Sequence, residues 1–240
     1  MNNIIIHIPK TGGTTLVSSL FNLEWQPKAS FNYRHISHDS KSSNSKDIFL
    51  SENYDKYKNY KIIMFIRDPF YRAFSEYNYI KNKDEFLDLF NDKIESFKDF
   101  IESSQNINPV LNFLIGNQLY TKISNEDSSK IYNLVDKALN NLNFIIGKME
   151  NYNESMNIIK YNTNININKS IHSKRINSSK TDIKEYIHLE NYFKEKNKFD
   201  YMLYNRLNKI FYSQLNKIDK KNITNYNFFG NKYDYILNYV

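Results

Sequence analysis

The chain has 240 residues, a net charge of +7 and no cysteine. One domain fits that length, and the missing thiols exclude disulfides, Cys-ligated zinc and thiol catalysis. The positive charge points to an anionic partner (nucleotide, acidic glycan, nucleic acid or membrane surface) or to a solvated lysine-rich exterior.

Asn3 to Ile8 is a short Ile-rich run closed by Pro9, and reads as a buried strand. It is too short for a signal peptide and has no basic n-region. No other run approaches the roughly 20 apolar residues of a membrane span. A cytoplasmic protein without a span is therefore expected. Thr14 to Phe21 has helical spacing, with Leu16, Leu20 and Phe21 on one side. Lys41 to Lys46 is a polar loop. Lys61 to Ile66 is a second buried strand, and Pro69 opens a helix running to about Ile80. A helix around Ser128 to Leu142 precedes a third strand candidate, Phe144 to Ile146. Asn191 to Leu215 predicts one long helix, and residues 216–240 a tail packed on a core of about 3–215. Alternating strands and helices give an α/β class. The expectation is a single domain over residues 1–240, with a mostly parallel central sheet flanked by helices.

Of only five glycines, Gly12 and Gly13 are adjacent, in HIPKTGGTTL between a strand and a helix. Glycine permits positive φ and close approach of backbone to an anion. The amides of the following helix N-terminus would point at that anion. Lys10 adds a charge, and Thr14 and Thr15 add hydroxyls. An NTPase phosphate loop places its Lys after the glycines, whereas Lys10 precedes them and no earlier Gly exists. That order argues against an ordinary ATPase or kinase. A tight turn with an exposed Lys is the plain alternative.

The second segment is FIRDPFYRAFSEY. Arg67 ends a buried strand, where α/β proteins place ligand contacts. Asp68 is placed to cap the helix opened by Pro69. Ser75 shares a helix face with Arg72 and Tyr79 by spacing. An Arg and a hydroxyl suit one phosphate, although a capped helix with surface arginines would look the same.

With both segments present, the chain resembles the carbohydrate sulfotransferases that use 3′-phosphoadenosine 5′-phosphosulfate (PAPS). The likeness is to the Golgi heparan-sulfate 2-O type and its bacterial relatives. HIPKTGGTTL is similar to that family's 5′-phosphosulfate loop, and RDPFYRAFSEY to its 3′-phosphate motif, with Arg67 and Ser75 at the matching positions. Weaker likeness continues through NPVLNFLIGN, ALNNLNFIIGKMENYNESM, INKSIHSKR and FDYMLYN. The eukaryotic relatives have lumenal disulfides, which a chain without cysteine does not share.

The resemblance implies a P-loop-like nucleotide-binding fold and transfer of a sulfuryl group from PAPS to a hydroxyl, leaving adenosine 3′,5′-bisphosphate. The acceptor would be a saccharide, acidic ones suiting a basic protein, with no metal and no nucleic acid required. Lys10 would stabilise the leaving oxygen. The amides of Thr11, Gly12, Gly13, Thr14 and Thr15 would hold the 5′-phosphate, and Arg67 and Ser75 the 3′-phosphate. The implied base is His35 in YRHISHDS, with His38 second, and a carboxylate stays open. His7 lies inside the first strand and reads as structural. Lys174 and Arg175 lie where the family has a nucleotide-covering loop and are candidate phosphate or acceptor contacts, with a solvated basic loop as the plain alternative. Two other readings stay open. One is a Mg²⁺-dependent phosphotransferase using Asp68 as metal ligand. The other is a module that binds acidic glycans without catalysis.

Overall fold

The computed structural model describes residues 2–13, 16, 31–35, 46–81, 93–163, 167, 183–219 and 223–224. Among the described residues, four strands form a sheet: β1 (Asn2–His7), β2 (Phe31–His35), β3 (Tyr60–Ile66) and β4 (Asn143–Lys148). Their order is β2-β1-β3-β4, and every ladder is parallel, with Ile4 opposite Ile62 and Ile63 opposite Ile145. Ile4–Ile6 and Ile62–Ile66 are buried without alternation. That is the pattern of strands covered on both faces. Burial of each such isoleucine is worth about 2 kcal/mol, so the core, rather than strand propensity, holds the sheet together.

A one-turn helix, α1 (Tyr54–Tyr57), precedes β3. Between β3 and β4 come α2 (Pro69–Ile80), α3 (Phe97–Glu102), α4 (Pro109–Ile115), α5 (Asn117–Glu126) and α6 (Ser128–Asn141). After β4 come α7 (Tyr152–Thr163), α8 (Glu190–Lys196) and α9 (Lys198–Leu215). Sequence spacing located α2 and α6 almost to the residue. The α/β class and the parallel sheet flanked by helices are as expected. Among the described residues, no helix is long and apolar enough to cross a membrane.

The single helix expected over Asn191 to Leu215 is in fact two. Asn197 breaks it at φ −109°, ψ 34°. The break is set by a distant partner. The Asn108 backbone N–H donates to Asn197 Oδ1 at 2.6 Å, and the Asn108 side-chain oxygen accepts from the N–H groups of Phe199 and Asp200 at 2.9 and 3.0 Å. Asp200 returns the favour by accepting from the N–H groups of Val110 and Leu111 at 3.0 and 2.8 Å. Each helix start is thus capped by the other, which satisfies orphan donors that periodicity alone cannot foresee. Gln214 of α9 covers the free edge of β4, accepting from the Ile146 N–H and donating to the Phe144 carbonyl. The edge is therefore closed to further pairing. At the start of the expected tail, Ile218 is buried and the Thr224 N–H donates to Asn157 Oδ1; residues 225–240 lie outside the described residues.

Asp200 is 2% exposed. Burial raises its pKa to about 6, against the lowering effect of the two capping amides and of Arg72. A carboxyl raised in the folded state contributes most when protonated, and its contribution fades as pH rises through about 6. Relative to Asp200→Asn, the wild type should therefore lose stability between pH 5 and 7.5. Chemical denaturation across that range checks the sign, and a constant difference between the two proteins would refute it.

Candidate functional site

The sheet order creates a crevice. β2 lies on one side of β1 and β3 on the other, so the chain reverses direction across the sheet between β1 and β3. Ligands of open α/β sheets bind at this kind of switch point, beyond the carboxyl ends of the strands. The loop after β1 and the residues after β3 both open onto it.

The loop after β1 is shaped by backbone constraints. Lys10 adopts φ +67° and Gly12 φ +87°. Positive φ is routine for glycine and strained for lysine, so something must hold Lys10 there. Arg67 Nη1 does so, donating to the Lys10 carbonyl at 3.3 Å. A guanidinium has five N–H donors, and bracing the loop is compatible with gripping a phosphate. The Thr11 hydroxyl donates to the Ile8 carbonyl at 2.8 Å and is buried. It therefore serves the turn, leaving the Thr11 amide as that residue's candidate contact. Helix begins at Gly13, with the Leu16 N–H bonded to the Gly12 carbonyl at 3.1 Å. Amides of a first turn have no intrahelical partner. Thr14 and Thr15 lie outside the described residues.

Gly12 is required by its positive φ and Gly13 by sterics: a Cβ on Gly13 would run into the His7 ring, while one on Gly12 would press on the flexible Met149 side chain. His7, at the end of β1 and 8% exposed, thus packs beneath the loop, in keeping with a structural role.

Arg67 follows β3 directly. Asp68 then caps α2, its Oδ1 accepting from the N–H groups of Phe70 and Tyr71 at 2.9 and 3.2 Å. Burial pushes the Asp68 carboxyl up to about 6, with Glu150 adding to the rise. Its position is thus explained by the helix start. Arg72, Ser75 and Tyr79 lie on one stripe of α2, but that stripe runs from core to surface. Arg72 is 3% exposed and pairs with Glu76 at 2.6 Å, whereas Tyr79 is exposed and Ser75 lies between. Arg72 is accordingly no surface arginine.

His35 ends β2 with its Cα paired to that of His7, at the same end of the sheet as the loop. His38 and Arg175 lie outside the described residues, as does Lys174. A cavity of about 20 Å³ sits behind the loop, between Thr11, Arg67, Asp200 and Tyr204. It has room for about one water.

The amino-acid sequence matches the Sulfotransferase family over residues 2–229. The chain belongs to the sulfotransferase family. No curated protein and no solved structure matches it. Family membership supports sulfuryl transfer as the reaction.

Two supports of this candidate site are not evident from the sequence pattern. Met149 lies under Gly12, and its N–H donates to the Ile66 carbonyl at 2.9 Å, extending the β3–β4 ladder. Glu150 Oε1 accepts from the Asp68 N–H at 2.9 Å. The turn after β4 therefore holds both the β1 loop and the start of α2. Their position just past a buried strand was the available signal.

Gly13→Ala should destabilise the protein by about 1–3 kcal/mol, the usual range for overpacking. Denaturant titration checks this, and an unchanged midpoint would show that the loop does not rest on His7.

Proposed function

We propose that this sulfotransferase moves a sulfuryl group from PAPS to a hydroxyl of a carbohydrate acceptor. The observation that carries the proposal is the bond between Arg67 and the Lys10 carbonyl. It joins two strand-end segments into one anion-binding surface at the switch point. Amides of the β1 loop suit the 5′-phosphate end of the donor, and Arg67 with Ser75 suits a 3′-phosphate. A 3′-phosphate is one group that PAPS has and ATP lacks. The net charge of +7 favours an acidic saccharide.

Transfer needs little covalent work from the protein, so positioning and electrostatics dominate, by analogy with phosphoryl transfer. The acceptor oxygen forms a bond to sulfur in line with the breaking S–O bond. The electron pair of that bond departs on the bridging oxygen, which becomes a phosphate oxygen of adenosine 3′,5′-bisphosphate. Lys10 stabilises the charge developing there. His35 takes the acceptor proton, a role supported by its Cα lying at the same end of the sheet as the loop that carries Lys10.

The test is transfer of labelled sulfate from PAPS to a panel of oligosaccharides. Lys10→Ala should lower kcat by about 10²–10³-fold, the cost of removing one charge-stabilising group. His35→Ala should lower kcat by about 10²–10⁴-fold with donor affinity kept. Full activity of Lys10→Ala would remove Lys10 from the reaction, and full activity of His35→Ala would remove His35.

A further inference from the structure

The Lys10 ammonium lies 4.2 Å from the centroid of the Tyr79 ring. Two constraints lead it there. The Lys10 backbone is held at φ +67°, and its carbonyl is tied to Arg67 at the start of α2. From that anchor its four-carbon stem reaches the last turn of the helix, where Tyr79 stands. Ser75 lies one turn earlier on the same stripe. The ammonium is therefore placed on the helix face assigned above to the donor.

We propose that Tyr79 is the positioning residue for Lys10, its ring holding the ammonium at the mouth of the anion site. The assignment of Lys10 to the leaving oxygen rests on the donor reading above, whereas the placement itself rests on geometry. Tyr79 is 38% exposed, so its ring has little to contribute to the core. A ring face attracts a cation through its quadrupole. That attraction is worth about 2- to 5-fold at exposed sites and about 30-fold where water is displaced. A flexible lysine stem has many alternative directions, and the ring selects one of them.

Two measurements test this. Dimethylated with ¹³C, the lysine side chains keep their charge and report by NMR. The Lys10 methyl signal, identified by its absence in Lys10→Ala, should be shifted upfield by the ring current. Tyr79→Leu should return it to the position of a solvated lysine, and Tyr79→Phe should keep it shifted. In the transfer assay, Tyr79→Leu should lower kcat by roughly 3- to 30-fold with little change in KM for PAPS, and Tyr79→Phe should rescue it. Tyr79→Leu should add nothing in the Lys10→Ala background, since contacting residues fail additivity. An unshifted Lys10 signal in the wild type would overturn the proposal, as would equal losses from Tyr79→Leu with and without Lys10. A shifted signal in a protein that transfers nothing from PAPS would uphold the placement and refute the donor reading instead.

Discussion

The bond from Arg67 to the Lys10 carbonyl is the constraint on which the site depends. It crosses the crevice between β1 and β3, at the point where the chain changes direction in the sheet. Without it, a lysine at positive φ would have a cheaper conformation available. With it, the loop is closed, the helix beginning at Gly13 is aimed, and the Lys10 side chain is launched along α2. One hydrogen bond of this kind is worth only about 1–3 kcal/mol. Its importance lies in fixing geometry.

Around that bond the protein builds support from a third strand. The turn after β4 places Met149 beneath Gly12 and Glu150 on the Asp68 N–H. Three parallel strand ends therefore converge on two short segments. The helices behind are locked to one another in turn, Asn108 and Asp200 capping each other's elements. The site therefore stands on helices whose starts cap one another.

Much of this was legible in the sequence. Continuous isoleucine runs announced β1 and β3, because strands buried on both faces need no polar alternation. Pro69 after Asp68 announced α2, because a capping carboxylate and a fixed φ together start a helix. The adjacent Gly12 and Gly13 announced a tight strand-to-helix turn, and Gly12 does take a positive φ there. What stayed hidden depended on contacts between distant residues. Nothing in the periodicity of Asn191 to Leu215 marks Asn197 as a break, since its partner is Asn108. The burial of Arg72 depends on how α2 tilts into the core. The pairing of Lys10 with Tyr79 depends on a backbone angle that spacing does not encode.

Calorimetric binding of adenosine 3′,5′-bisphosphate, compared with ADP and ATP in the absence of metal, tests the central claim most directly. A site with separate places for a 5′- and a 3′-phosphate predicts at least about tenfold tighter binding of the 3′-phosphorylated nucleotide, a difference of about 1.4 kcal/mol. Equal affinity for all three, or a preference for ATP, would contradict it.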